Sequence, residues 1–298
     1  MFTKMPPTLM LTLSALFWGG NFVVGRYAHA EIPPLGLTFW RWVVAALILL
    51  PFVGRDVWLH RAQIREHFGL LFVLALTGMA MFHAFTYIAL GTTTAINATF
   101  VLASMPMVIP LVSLVMGDER LNLRQSIGIA ISIVGVGIII SRGQMDVLVN
   151  LGFSLGDLWV LGGVLAWSVY SVLLRRKPKS LPTMVLLGST MCIAIVILAP
   201  FYVWEFWTVG GFALTASNGL VIAYVASFAS IAAFVCWNTG VARVGANKAG
   251  LFIHLIPLFA SIMSILFLGE SLKAFHVMGI VPILMGLYLT TSATAKDV

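Results

Sequence analysis

Ala95-Ile96-Asn97-Ala98-Thr99, running on through Pro106 to Glu119, Leu121, Gly128 and Gly135, returns later in the chain. There it reads Ala246-Asn247-Lys248-Ala249-Gly250, running on through Pro257 to Glu270, Leu272, Gly279 and Gly286. One offset of 151 residues makes Ala95/Ala246, Ala98/Ala249, Pro106/Pro257, Ser113/Ser264, Glu119/Glu270, Gly128/Gly279 and Gly135/Gly286 identical. Upstream, Trp18 and Trp167 coincide at an offset of 149, which a small loop insertion explains. Each copy closes a block of five apolar segments, so the chain divides into two repeats, 1–150 and 151–298. Repeats with an odd number of spans must lie upside-down to one another. Inverted repeats of this kind mark alternating-access transporters, whose substrate site lies at the repeat interface near the midplane.

The rest of the sequence agrees with a membrane protein. Residues are 60% hydrophobic and only 9% charged, with a mean hydropathy of +1.04, whereas a soluble domain averages about 25% charged. A lipid-spanning helix needs roughly 20 apolar residues. Apolar runs predict ten spans, near 8–27, 35–53, 68–90, 94–116, 124–141, 155–173, 182–204, 217–240, 246–268 and 274–293. The fold class is an all-α membrane protein, two inverted five-helix repeats around a central cavity. The loops are too short for a soluble domain, and no nucleic-acid role fits. Lys4 and the apolar run from Leu9 to Ala28-His29-Ala30 imitate a secretory signal. The return of Trp18 as Trp167 instead makes this segment part of the repeat.

The net charge of +7 is distributed by side rather than aimed at an acidic partner. With a cytoplasmic N-terminus the inner side collects Lys4, Arg55, Arg61, Arg65, Arg120, Arg124, Arg175, Arg176, Lys177, Lys179, Arg243, Lys248 and Lys296. The outer side holds Arg26, Arg142 and Lys273. This positive-inside bias places both termini in the cytoplasm and favours an even number of spans. Cys192 and Cys236 fall inside spans, where free cysteine behaves as a small apolar residue. Neither a disulfide, a metal site nor a cofactor is expected.

No catalytic set is readable. The acidic residues sit at span ends or in loops, and no paired intramembrane aspartates, His-Glu-x-x-His or Gly-x-Ser-x-Gly occur. Ion coupling usually employs an intramembrane carboxylate. Its absence leaves a facilitator, or a protein in which His83 titrates.

Polar residues at helical spacing mark inward faces, because polar groups are costly against lipid. Span one carries Ser14, Trp18 and Asn21; span three Met79, His83 and Tyr87; span six Gly163, Trp167, Tyr170 and Ser171; span eight Ser227, Ser230, Phe234, Trp237 and Asn238. Together they would line a pocket for a small amphipathic molecule. Trp18, Tyr87 and Trp237 also fit an interfacial aromatic belt, and His83 and His254 could serve only to join neighbouring helices. Arg41, inside Trp40-Arg41-Trp42, reads first as a cation snorkelling to the outer headgroups and second as a cavity cation for a carboxylate. Lys248 could snorkel or gate the cytoplasmic mouth. Pro106, with Pro110, and Pro257 interrupt spans four and nine at matched places, which points to a hinge. Gly117 and Gly269 read as helix C-caps, with Glu119 and Glu270 as boundary markers. Gly128/Gly135 and Gly279/Gly286 read as faces for close helix packing, with a dimer face as the lesser reading. The tight turns at Gly91-Thr92-Thr93-Thr94 and Arg243-Val244-Gly245 predict that spans three and four, and eight and nine, pack as hairpins.

Trp18-Gly19-Gly20-Asn21-Phe22, Phe39-Trp40-Arg41, Tyr87-Ile88-Ala89-Leu90, Pro106, and the doubled proline–glycine–glutamate pattern ending at Glu119 and Glu270 resemble the EamA-like ten-helix permeases of the drug/metabolite transporter superfamily. Gly117-Asp118-Glu119 departs from the usual Gly-Glu spacing. The resemblance implies a basket of two inverted repeats that moves small metabolites outward across a bacterial inner membrane. Its nearest branch is the exporters of neutral and aromatic amino acids. The partners expected are an amino-acid-like small molecule and the lipid bilayer; the sequence leaves the oligomeric state open, with a monomer as the first choice. Multidrug or nucleoside-type export, and lipid scrambling or scaffolding, are the competing functions. A mid-span glutamate would mark a cation exporter, and none is present.

Overall fold

The structure is a computed structural model that describes residues 5–117, 122–149, 154–178, 180–244 and 251–292. The described residues are helical apart from turns and short links. We number α1 Pro7–Ala28, α2 Pro34–Leu59, α3 Arg61–Glu66, α4 Phe68–Ala89, α5 Ala95–Leu102, α6 Met105–Val115, α7 Leu123–Ile140 and α8 Met145–Val149. There follow α9 Leu155–Leu174, α10 Thr183–Thr208, α11 Ala216–Val241, α12 Leu255–Leu268 and α13 Ala274–Ser292. Seven of these helices are long and apolar enough to cross a membrane, and α5 with α6 forms an eighth candidate bent by 43°. Two shorter apolar helices, Phe252–Leu268 and Ala274–Leu289, occupy the places of the ninth and tenth expected spans.

Local chemistry sets several boundaries. Proline at the first turn starts α1 and α2, where its missing N–H costs nothing. Thr94, Ser154 and Thr215 N-cap α5, α9 and α11 through their hydroxyls. Gly117 and Gly269 end their helices with φ of +74° and +65°, as expected of C-caps.

Packing is symmetric under exchange of the two halves. Helix α1 lies against α11 and α12, while α9 lies against α4 and α5–α6. Helices α2 and α10 pack on each other, as do α7 and α13. That last pair is as close as its glycines imply. A Cβ on Gly135 would stand 2.5 Å from the Gly279 carbonyl. Gly286 meets the Gly128 carbonyl in the same way. These faces are consumed inside the chain, and the dimer-face reading is set aside.

Irregular turns recur in both halves. Helix α4 opens into a π-helical stretch at Ala75–Met81, and α11 does so at Val225–Ala232. The α5–α6 break at Ala103-Ser104 corresponds to the 3-10 turn Leu251–His254 before α12. Pro106 and Pro257 therefore lie in the first turn beyond each break, where proline is tolerated. The interruption ends two residues before Pro106 and three before Pro257. The hairpin expectation for spans three and four is corrected. Although only five residues join α4 to α5, α9 packs against both, and a tight turn fixes proximity at one end alone.

Candidate functional site

The π-helical stretches explain why the polar side chains gather where they do. A wide turn displaces carbonyls from the regular ladder, and at bilayer depth each must be paired within the protein. In α11 the Trp18 indole N–H donates to the Ala229 carbonyl at 3.1 Å, and Ser14 donates to Ala233 at 3.0 Å. In α4 the Met79 carbonyl accepts from the Trp42 indole at 3.1 Å and from His83 Nδ1 at 3.0 Å. A carbonyl can only accept, so Nδ1 of His83 carries a proton and donates it to Met79.

Beside these turns lies a fully buried cation. Arg41 has 0% exposure. Its Nε donates to Ser230 Oγ at 2.9 Å, and its Nη1 donates to Tyr87 Oη at 2.7 Å and to Asn21 Oδ1 at 3.3 Å. Tyr87 passes its own proton to Asn21 Oδ1 at 2.7 Å, and Ser230 donates to the Val225 carbonyl at 2.8 Å. Nη2 is buried without a partner. Among the described residues no carboxylate pairs with this guanidinium. Trp42 and Tyr87 offer it ring faces, 5.1 and 5.7 Å from centroid to Cζ. The snorkelling expectation for Arg41 is thus overturned. Three neutral oxygens hold the cation inward, between α1, α4 and α11.

Two cavities flank this network. One, of about 40 Å³, is lined by Trp18, Asn21, Phe22, Phe82, His83, Leu102, Met105, Trp167, Phe234, Ile253 and Ile256, drawn from both halves. The other, of about 230 Å³, is lined by Leu74, Met79, Tyr170, Leu174, Lys177, Thr183, Leu186, Leu187, Thr190, Phe234, Asn238 and Val241. One aromatic cluster contributes walls to both, Trp18, Trp167 and Phe234 to the smaller and Tyr170 and Phe234 to the larger. Trp18 lies edge-on to Trp167 at 6.5 Å and to Phe234 at 5.8 Å, and tilted against Trp237 at 5.4 Å. Trp167 in turn meets Tyr170 at 5.0 Å. A drug-sized ligand needs roughly 300 Å³ or more, and neither cavity reaches that size.

The expected site residues therefore fall into three groups. Trp18, Asn21, His83 and Trp167 share the smaller cavity, and Tyr170 and Asn238 line the larger one. Tyr87 and Ser230 hold Arg41 rather than lining either. Trp237, at the expected inner end of its span, is half-buried with its ring against Trp18, and Tyr87, 2% exposed and bonded to Arg41, is no belt residue. His254 has both ring nitrogens buried without partners, away from this cluster's hydrogen bonds. Lys248 and Glu119 lie outside the described residues.

Two glutamates do more than mark boundaries. Glu270 accepts from the Ala95 and Ile96 amides at 2.9 and 3.0 Å, capping α5. Glu205 accepts from the Leu35 and Gly36 amides at 3.1 and 2.7 Å, capping α2. Sequence reasoning also passed over Phe82 and took Trp42 only as a neighbour of Arg41, whereas Phe234 on the span-eight face does line both cavities. The signal for Glu205 was present as a further stretch of the repeat. Pro33/Pro182, Leu49/Leu198, Pro51/Pro200, Phe52/Phe201 and Trp58/Trp207 are identical at offset 149, which pairs Asp56 with Glu205.

Comparison with known proteins adds the lineage. The EamA-like transporter family matches residues 5–141 and again residues 154–292. An uncharacterized transporter, YyaM of Bacillus subtilis, is 26% identical over 97% of this chain and 94% of its own. An uncharacterized transporter of Archaeoglobus fulgidus is 28% identical over 95% and 96%. A protein of known crystal structure, 18% identical, superposes over 97% of this chain and 98% of its own with a TM-score of 0.62, a likeness of fold.

Proposed function

The chain belongs to the EamA-like transporter family, and from that premise we propose that this small-molecule membrane transporter exports neutral and aromatic amino acids across a bacterial inner membrane. The observation that carries the substrate class is the Arg41 guanidinium, buried without a carboxylate partner and with Nη2 unused, beside an aromatic cavity. A charge at the centre of a membrane helix costs about 2.5–3.5 kcal/mol, and such groups mark substrate pathways. The substrate's carboxylate supplies the missing anion. Asn21 and Nε2 of His83 provide polar ends for the rest of the head, and Trp18, Phe82, Trp167 and Phe234 receive the apolar body.

In this reading, 1–150 and 151–298 are inverted five-helix repeats, the ten apolar segments are ten spans, and both termini are cytoplasmic. Transport is by alternating access. The matched breaks before Pro106 and Pro257 act as hinges, and Lys248 stands at the cytoplasmic mouth. The glycine faces packed within the chain support a monomer. No carboxylate of the described residues lines either cavity, which supports flux down the substrate gradient without an obligatory ion.

Counterflow in proteoliposomes tests the proposal. Labelled phenylalanine, leucine and alanine should exchange against unlabelled amino acid and not against the corresponding amides, esters or amines. Exchange of amines or amides at rates equal to the carboxylates would remove Arg41 from the substrate site and the amino acids from first place.

A further inference from the structure

Glu205 and Asp56 occupy equivalent places in the two halves and opposite states. Glu205, near the C-terminal end of α10, is 5% exposed and bonded to the first free amides of α2. Those amides have no carbonyl partner within their own helix and form the positive end of its dipole, so a carboxylate there makes strong bonds. The contact draws in its surroundings. Tyr202 stacks on Phe39 with centroids 4.6 Å apart, and both Tyr202 and Phe212 pack at Gly36. The α1–α2 end of the α2–α10 pair is thereby closed.

The repeat carries each partner to the other end of the same pair. Offset 149 takes Glu205 back to Asp56, and takes Leu35 and Gly36 forward to Met184 and Val185. These are the second and third residues of α10, as Leu35 and Gly36 are of α2. Pro51 and Pro200, inside their helices, precede the two acids by the same five residues. Yet Asp56 is exposed and accepts no hydrogen bond from Met184 or Val185. The larger cavity lies at this unbonded end, where Thr183, Leu186 and Leu187 of α10 form part of its wall.

We propose that Glu205 and Asp56 are the paired latches of one switch, each closing one end of the α2–α10 pair in alternation. In the conformation described, Glu205 is engaged and Asp56 released, with the larger cavity lying at the α2–α3 end. In the opposite conformation the first turn of α10 reaches Asp56, Met184 and Val185 donate to its carboxylate, and the amides of Leu35 and Gly36 are freed. Because the two bonds are of one chemical kind, their exchange leaves the two conformations close in energy, as a transporter cycling without an ion requires. The switch rests on the alternating-access reading, but its test needs no substrate.

Spin labels on the purified full-length protein read the two ends separately, with Cys192→Ala and Cys236→Ala as background. Glu31→Cys with Val209→Cys reports the α1–α2 end, and Leu59→Cys with Ser180→Cys reports the other. The parent should show a short first distance and a long second one. Glu205→Gln should move the populations by about tenfold or more toward a long first and a short second distance. Leu35→Pro, which deletes one donor at a helix position that accepts proline, should give a smaller shift in the same direction. Asp56→Asn should change nothing alone and abolish the closure seen with Glu205→Gln. Unchanged distances in both Glu205→Gln and Leu35→Pro would overturn the switch, as would closure at the second end that ignores Asp56. Counterflow that persists in either case would leave the transport reading standing.

Discussion

Arg41→Met separates the cost of the buried guanidinium from its use. The long apolar side chain keeps most of the volume and removes the charge. What remains is already paired, because Tyr87 still donates to Asn21 at 2.7 Å and Ser230 to Val225 at 2.8 Å. A cation at the centre of a membrane helix costs about 2.5–3.5 kcal/mol, an upper bound for Arg41 near the start of α2. Hydrogen bonds from a charged group return about 1.5–3 kcal/mol each. Arg41 has two short ones, to Ser230 and Tyr87, and a longer one to Asn21 at 3.3 Å, with Nη2 left over. At the lower figure the two short bonds return about 3 kcal/mol, which offsets the cost. Replacing buried ionic groups by apolar ones of similar volume is neutral or stabilising by about 1–4 kcal/mol in known cases. The Met variant should therefore melt at or above the parent temperature in detergent, followed by tryptophan fluorescence. With carboxylate substrate at 100 times Kd the parent should gain about 2.7 kcal/mol, and the variant should gain nothing. A variant that melts far below the parent without substrate would make Arg41 a structural strut. One that keeps the full substrate-induced shift would show that the carboxylate binds elsewhere.

Four further outcomes are expected. Trp18→Ala and Trp167→Ala should fold and insert but lose counterflow by tenfold or more, about 1.4 kcal/mol, since both rings wall the smaller cavity; normal rates in both would move the site. Trp18→Phe, which keeps the ring and orphans the Ala229 carbonyl, should lower stability by about 1–3 kcal/mol by thermal melting. Gly135→Val should separate α7 from α13, because its side chain would run into the Gly279 carbonyl, at a cost of about 1–3 kcal/mol or more; an unchanged melting temperature would contradict that packing. His83→Asn should leave counterflow rates equal with and without a pH gradient, as in the parent; gradient-driven accumulation in the parent, lost in this variant, would make His83 a proton carrier.

Much of the architecture was legible because membranes impose simple arithmetic. A run of about 20 apolar residues, a matched pair of prolines and a glycine spaced seven residues from its partner each carry their meaning locally. The glycine faces of α7 and α13 and the C-caps at Gly117 and Gly269 were read from such patterns and found in place. The inward direction of Trp18, Asn21, His83 and Trp167 was read from helical period alone, and these four residues do line one cavity. The helix breaks fall a few residues before Pro106 and Pro257 rather than at them, because proline marks where a helix can restart as readily as where it bends.

The sequence by itself determined the class of protein, the doubling of the chain and the helical faces that shun lipid, since each follows from composition or spacing within one helix. Only the tertiary structure decided the fate of its charges. Arg41 looked like a snorkelling cation because its own helix offers tryptophans on both sides. It is buried because Asn21 of α1, Tyr87 of α4 and Ser230 of α11, all distant in sequence, converge on it. Glu270 looked like a boundary marker and Glu205 like any acid at a span end, because their partners are backbone amides, which every residue but proline possesses and no side-chain pattern can reveal. Hydrogen bonds to the main chain leave no mark on the partner's identity, so their existence is settled only when the helices are packed.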